Sequence, residues 1–252
     1  PPVYKKVDAP KPQEGQALIK LHAAALNHRD VWIMQGKYPG IKYPVILGSD
    51  GAGVVDAVGP HEKVKDLGRE VIINPGLNWG KNERVQSKDF GILGLPDDGT
   101  FAEYVTVPIA NIHDKPEHLS MEQAAALPLA GLTAWRALMT RGQFQKGEKV
   151  LITGIGGGVA LFALQFAVAA GAEVMVTSSS QKKIAKAIKM GARGGANYKE
   201  DNWEEQLNML SRKPFDVVID GAGGEGFETA INLLGPGGRA VFYGGTAGKW
   251  PK

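Results

Sequence analysis

The chain has 252 residues, enough for one large domain or two modest ones. Charged residues make up 22% of it and apolar residues 43%, which fits a globular protein and excludes a disordered tail or a fibre. The net charge of +3 is spread along the chain and gives no reason to expect a nucleic-acid partner. Because cysteine is absent, disulfides, thiolate nucleophiles and sulfur-based zinc sites are excluded.

The longest apolar stretch covers residues 159–176 and predicts a buried helix followed by a buried strand. Gln165, Gly171 and Glu173 interrupt it, whereas a membrane-spanning helix needs about 20 apolar residues. The first six residues have neither the charged start nor the apolar centre of a secretory signal. We therefore expect a cytoplasmic protein with no membrane partner.

The first half of the chain is rich in short β-like segments bounded by glycine, proline or aspartate. Four of these segments occupy residues 17–21, 53–58, 70–73 and 101–107. This punctuation is typical of small antiparallel barrels and sandwiches. A short helix is predicted at residues 28–35, and the polar, glycine-rich residues 75–99 predict a long loop.

The pattern changes near Ser120. Ser120 and Gln123 have the spacing of a capping box, which begins an alanine- and leucine-rich helix that Pro128 should break or kink. Beyond it, apolar strands alternate with helices. The predicted strands are 149–153, 173–177, 196–198, 215–219 and 239–243, and the predicted helices are one ending at 170 and those at 181–190, 203–210 and 227–234. The alternation predicts a parallel sheet covered on both faces, and two domains at residues 1–119 and 120–252.

A glycine cluster at residues 154–158 lies between a predicted strand and a predicted helix. At that junction of a doubly wound sheet, backbone N–H groups and the helix dipole bind an anionic pyrophosphate. Gly154, Gly157 and Ala160 fit a looser form of the dinucleotide fingerprint, because the literal pattern would require glycine at Val159. The alternative is a tight turn that only lets the helix pack on the strand.

The end of the next predicted strand decides which nucleotide is preferred. NAD sites place there a carboxylate that binds the ribose 2′-hydroxyl. This chain instead has Ser178, Ser179 and Ser180 followed by Lys182 and Lys183. Hydroxyl and ammonium groups suit a 2′-phosphate, so the sequence favours NADP(H). The alternative is that Ser180 caps the next helix and both lysines are solvated.

Taken in order, these motifs resemble the medium-chain dehydrogenase/reductase superfamily, in particular its zinc-independent quinone-oxidoreductase-like branch. The residues that carry the resemblance are 27–30, 36–39, 48–53, 131–134, 147–151 and the glycine cluster. The resemblance implies an α/β protein with a Rossmann doubly wound parallel sheet plus a GroES-like β-rich catalytic domain. It implies a nicotinamide cofactor in the cleft between the two, and commonly a homodimer. Against the family pattern, the first domain is expected to be incomplete at its N-terminus and the second at its C-terminus.

The residues at the family's catalytic zinc positions differ from those of zinc-dependent members. Asn27 stands in place of the first cysteine, Ser49 and Asp50 in place of a His–Glu pair, and Leu129 in place of the last cysteine. The resemblance therefore implies no metal. A conjugated acceptor can take a hydride without a Lewis acid, so we expect NADPH-dependent reduction of a quinone or an α,β-unsaturated carbonyl. The alternatives are a zinc-type alcohol dehydrogenase-like enzyme and a non-catalytic NADPH-binding protein of the same fold.

The resemblance also carries over site residues. Asn27 and Tyr38 would line the substrate pocket as catalytic residues, with Tyr38 either a proton or oxyanion donor or simply a packing side chain. The residues expected to bind the cofactor are Thr133, Gly154, Gly157, Gly158, Val159, Ser178, Ser179, Lys183, Tyr198, Gly221 and Gly244.

Overall fold

The computed structural model describes residues 2–62 and 67–247, which divide into two compact units bounded as Pro1–Leu129 and Ala130–Lys252. We call them unit 1 and unit 2. The division lies C-terminal to the predicted domain boundary at Ser120, because the helix that follows Ser120 buries Ala124 and Ala125 against Ala52 of unit 1.

Unit 1 is built mainly from antiparallel strands. Its strands are β1 (Gln16–Ala25), β2 (Asp50–Val58), β3 (Glu70–Ile73), β4 (Gly76–Leu77), β5 (Gly91–Ile92), β6 (Tyr104–Pro108) and β7 (Ile112–Asp114). Its helices are α1 (His28–Met34), α2 (Met121–Ala125) and a short 3₁₀ helix (Ile109–Asn111). Five strands form one sheet in the order β6-β1-β2-β3-β7. Alternate residues such as Val105 and Val107 point into the core, as the sequence pattern predicts.

The prediction of a long loop at residues 75–99 is wrong in one respect. It contains β4 and β5, which pair antiparallel through Gly76–Ile92 and Leu77–Gly91. Strands of two residues are too short to show any period in the sequence, so pattern analysis misses them. The ribbon buries Leu77 and Leu93 in the core of unit 1.

The predicted capping box and the break at Pro128 are both confirmed. The Gln123 N–H donates to Ser120 Oγ at 3.3 Å, and the Ser120 N–H donates to Gln123 Oε1 at 3.1 Å. Helix α3 (Pro128–Trp135) starts at the proline and continues as a π-helical segment, Arg136–Arg141. Proline fits the first helical position because it has no N–H to leave unpaired.

Unit 2 is a five-stranded parallel sheet with helices on both faces. Its strands are β8 (Lys149–Ile152), β9 (Glu173–Ser178), β10 (Gly194–Asn197), β11 (Phe215–Asp220) and β12 (Leu234–Phe242), in the order β10-β9-β8-β11-β12. Its remaining helices are α4 (Gly158–Ala169), α5 (Gln181–Lys189), α6 (Trp203–Ser211) and α7 (Glu225–Asn232). Every predicted element of this unit is present.

Alternation along β8 fixes the two layers of unit 2. Val150 and Ile152 face α4 and α5 in one core, whereas Leu151 faces α6 and α7 in the other. The chain leaves β8 toward β9 and β10 on one side and returns to β11 and β12 on the other. Ligands of such sheets bind outside the carboxyl ends of the strands where this reversal occurs. Within residues 2–62 and 67–247, no helix is long and apolar enough to span a membrane.

Candidate functional site

The glycine cluster forms an exposed turn between β8 and α4. Gly154 has a positive φ of 61°, and the Gly157 N–H donates to the Gly154 carbonyl at 3.1 Å. The Ile155 N–H donates to the Thr177 carbonyl at 2.9 Å, which ties the turn to the end of β9. A Cβ on Gly154 would meet nothing within 4 Å, so the space in front of this residue is open.

Helix α4 begins at this turn without a capping side chain. Its N-cap is Gly157, and no side chain in the described part of the chain bonds the first-turn N–H groups. The first N–H groups of a helix have no intrahelical partner, and the helix dipole adds positive potential there. The turn therefore offers free donors and room for an anion, which is the chemistry that a pyrophosphate needs.

Lys183 lies directly on the glycine turn. A Cβ on Gly156 would be 2.6 Å from Lys183 Nζ, so the ammonium group rests on exposed backbone. Lys183 comes from the first turn of α5, which follows β9. The fold thus brings a cation from the second β–α connection to the glycine turn of the first.

The three serines after β9 have different environments. Ser178 is buried, and its Oγ accepts the Ser180 N–H at 3.2 Å. Its hydroxyl therefore helps to shape the connection between β9 and α5, and its predicted contact with the cofactor stays a prediction. Ser179 and Tyr198 are exposed beside it, and the Tyr198 N–H donates to the Ser178 carbonyl at 3.1 Å. Ser180 occupies the N-cap of α5 but makes no capping bond with its side chain.

Asp220 joins the ends of β8 and β11 and is a residue that sequence analysis missed. It is buried, and Thr153 Oγ1 donates to its Oδ2. Its Oδ1 accepts the N–H groups of Ala222 at 3.0 Å and Gly223 at 2.7 Å. An aspartate that ends an apolar strand before a glycine-rich turn is the signal that could have revealed it. Asp220 therefore fixes the backbone where the C-terminal ends of β8 and β11 lie side by side.

Gly221 and Gly244 lie next to each other beyond β11 and β12. A Cβ on Gly244 would be 3.1 Å from the Gly221 carbonyl, and a Cβ on Gly221 would be 2.5 Å from Tyr243 Oη. A side chain at position 221 would require the Tyr243 ring to move. Burial, followed by the Asp220 charge, raises the pKa of Tyr243, so its phenol stays neutral.

Helix α3 contacts the start of α4. A Cβ on Gly158 would be 3.5 Å from the Ala130 Cβ. Thr133, one turn further along α3, is half-buried.

In unit 1, the residues at the family's zinc positions surround a buried carboxylate, Asp50. Asn27 Nδ2 donates to Asp50 Oδ2 at 2.8 Å, and the Leu129 N–H donates to Asp50 Oδ1 at 2.8 Å. We call Asn27, Asp50 and the Leu129 N–H the Asp50 cluster. Asp30, at the third position of α1, accepts the Asn27 N–H at 2.8 Å and so fixes the orientation of Asn27.

The pKa of Asp50 is raised to about 6, mainly by burial and in part by the nearby Asp30 charge, whereas the hydrogen bonds from Asn27 and Leu129 and the Arg29 charge lower it. Burial likewise raises the pKa of Asp30. Both carboxylates therefore hold protons more tightly than in the unfolded chain.

The Asp50 cluster does not fit a zinc ion. Asp50 is the one carboxylate of the cluster, because Asn27 turns its NH₂ group toward Asp50 and Leu129 contributes only a backbone N–H. A catalytic zinc needs three ligands with free lone pairs. Within the described ranges, no three histidine, cysteine, aspartate or glutamate side chains group so as to hold a metal ion.

Tyr38 is held by Arg29, a second residue that sequence analysis missed. The Arg29 guanidinium lies 4.9 Å from the Tyr38 ring centroid, and its Nε donates to Tyr38 Oη at 3.5 Å. Arg29 is itself buried, with Nη1 donating to Ser49 Oγ at 2.6 Å and to the Leu93 carbonyl at 2.9 Å. Because Oη accepts from Arg29, the phenolic proton is left to donate elsewhere.

Known proteins resemble this chain over nearly its whole length. Residues 13–117 match the family described as alcohol dehydrogenase GroES-like domain, and residues 158–251 match the family described as zinc-binding dehydrogenase. The chain is 41% identical to the zinc-type alcohol dehydrogenase-like protein YogA of Leptosphaeria maculans, over 97% of this chain and 74% of that protein. It is 34% identical to an acryloyl-coenzyme A reductase of Sulfurisphaera tokodaii, over 95% and 72%.

The fold has a counterpart among solved structures. The crystal structure of an NAD-dependent alcohol dehydrogenase superimposes with a TM-score of 0.89 at 39% identity, covering 94% of this chain and 72% of that one.

Proposed function

Because this chain belongs to the medium-chain dehydrogenase/reductase superfamily of oxidoreductases, we propose that it transfers a hydride from NADPH to a quinone or an α,β-unsaturated carbonyl without zinc. One observation carries the proposal: the Asp50 cluster offers N–H groups to a carboxylate and no ligand set to a metal. Without a Lewis acid the alkoxide of a simple alcohol is poorly stabilised. A conjugated acceptor spreads its charge as an enolate, which hydrogen-bond donors can stabilise.

The residues of unit 2 support binding of the cofactor. The exposed glycine turn and the first N–H groups of α4 would hold the pyrophosphate. Lys183, Ser179 and Tyr198 would surround the 2′-phosphate. Residues 177–183 contain no carboxylate, which is the group that binds the ribose 2′-hydroxyl in NAD sites. Thr133, Gly221 and Gly244 remain proposed contacts further along the cofactor. When bound, NADPH supplies the hydride.

The residues of unit 1 support stabilisation of the acceptor. Arg29 orients Tyr38 so that its phenolic proton can donate to the oxygen on which negative charge develops. Asn27 donates one amide hydrogen to Asp50, and its second amide hydrogen can donate to the substrate oxygen on which negative charge develops. Donors fixed in this way act without reorganising during the reaction.

The test is oxidation of NADPH, with NADH in parallel, against a quinone, an enone and a saturated aldehyde. We expect turnover with the conjugated acceptors, a preference for NADPH, and no loss of rate after dialysis against EDTA. Zinc found by metal analysis, together with aldehyde reduction that EDTA abolishes, would favour the zinc-type alcohol dehydrogenase that one relative's name suggests. Nucleotide binding without turnover of any acceptor would favour a non-catalytic NADPH-binding protein.

A further inference from the structure

An open cleft lies at the amino-terminal edge of the parallel sheet in unit 2. Its volume is about 420 Å³, and sites for small molecules typically measure roughly 300–1,000 Å³. It is lined by the first residues of β8 and β9, Lys149 and Glu173, and by the connection from α6 to β11. Lys149 and Gly154 are separated by extended chain of roughly 16 Å. A ligand here is therefore distinct from a ligand of the glycine turn.

Positive charge is concentrated in this cleft, which we call the basic cleft. Its charged lining residues are Lys149, Arg193, Arg212, Lys213 and Glu173. The resulting net charge of +3 equals that of the whole chain.

Glu173 forms ion pairs with two of the four cationic side chains of the basic cleft. Lys149 Nζ lies 3.2 Å and Arg193 Nε 4.0 Å from Glu173 Oε1. Arg212 and Lys213 form no ion pair with any residue in the described ranges. The basic cleft thus has an excess of cations that a bound anion would balance.

Arg212 occupies a backbone position that favours glycine. It ends α6 in the left-handed conformation, with φ 59° and ψ −9°. Glycine adopts this conformation freely at helix ends, whereas the Cβ of arginine is strained there. Local stability alone would therefore select glycine at position 212. An observed strained residue of this kind points to a function for its side chain.

The floor of the basic cleft is ordered by buried contacts. Ser211 is 1% exposed, and its carbonyl accepts a hydrogen bond from Lys149 Nζ. The Ser211 hydroxyl donates to the Lys213 carbonyl, which fixes the turn that carries Arg212. Met175, 2% exposed, lies beneath the same cleft.

We propose that the basic cleft binds a small phosphorylated molecule. Its phosphate groups would contact Arg212, Lys213 and Arg193, and the rest of the molecule would lie against Leu210, whose side chain is exposed. A guanidinium matches two phosphate oxygens at once, and an ammonium adds a point charge. The proposal does not depend on the chemistry proposed for the glycine turn.

Titration calorimetry of the full chain with inorganic tripolyphosphate and with 1-naphthyl phosphate tests the proposal. We expect saturable binding of both, weakened by added salt. Arg212→Gly should weaken binding about tenfold or more, because a charge-assisted contact is lost. The same variant should keep or raise the Tm, because glycine relieves the strained backbone. Lys189→Ala, which removes an equal charge from an exposed position on α5 outside the cleft, should leave the affinity unchanged.

Lys183→Ala separates binding at the basic cleft from binding at the glycine turn. If the anions occupy the basic cleft, Arg212→Gly weakens binding equally with and without Lys183→Ala. The proposal is overturned if Lys183→Ala alone abolishes binding, since the anions then occupy the glycine turn. It is also overturned if Arg212→Gly and Lys189→Ala have equal effects, or if no saturable binding occurs at millimolar anion.

Discussion

The buried carboxylate of Asp50 should make the protein less stable as the pH rises from about 4 to about 6. Burial raises the pKa of Asp50 from 3.8 to about 6, so the folded state holds the proton more tightly than the unfolded chain. Its stabilising contribution is complete below the unfolded pKa and is lost as the pH rises through the folded one. A shift of about 2 units corresponds to about 3 kcal/mol in the free energy of unfolding.

Asp50→Asn should remove this dependence and keep the local hydrogen bonds. The new amide can accept the Leu129 N–H through its oxygen, and it can donate to Asn27 once the Asn27 amide rotates by half a turn. The variant should therefore be more stable than the wild type above pH 6, by up to about 3 kcal/mol. Asp30 and Arg29, the charged groups that face Asp50, are retained in both proteins.

Urea denaturation followed by circular dichroism, repeated from pH 4 to pH 8, measures this difference. Asp56→Asn, on the exposed side of β2, is the matched control, because it removes a carboxylate that lies outside the Asp50 cluster. The difference between wild type and Asp50→Asn should change between pH 4 and pH 6 and be constant above. Parallel stability curves for wild type and Asp50→Asn would refute the reasoning.

Three further predictions concern the proposed reaction. Ser179→Asp should reverse the coenzyme preference, lowering kcat/KM with NADPH and raising it with NADH; unchanged values with both nucleotides would contradict the assignment. Lys183→Ala should raise the KM for NADPH about tenfold and that for NADH by less, because Lys183 lies on the glycine turn that both nucleotides would use whereas only NADPH has the 2′-phosphate; equal effects on both would place Lys183 at the pyrophosphate alone. Tyr38→Phe should lower kcat about 10²-fold with nucleotide affinity unchanged in fluorescence titration; full kcat would remove Tyr38 from the mechanism.

Local patterns in the sequence were sufficient for most of the fold. The alternation of strands and helices beyond Ser120, the capping box and the break at Pro128 are confirmed because each depends on residues only a few positions apart. The glycine cluster was likewise found where a strand meets a helix, and that junction is a local property of the chain.

Contacts between distant residues were decided only by the tertiary structure. Arg29 reaches Ser49 and Leu93, Asp50 meets the Leu129 N–H, and Lys183 lies on Gly156. None of these pairs leaves a period or spacing in the sequence, because each depends on strand register and on how connections fold back over the sheet ends. The sequence therefore determined which elements form and where the glycine turn lies, since these follow from hydrophobic period and turn chemistry. The structure alone decided that a buried carboxylate is held by two N–H groups and that cations gather at the far edge of the sheet, since long-range packing brings these groups together.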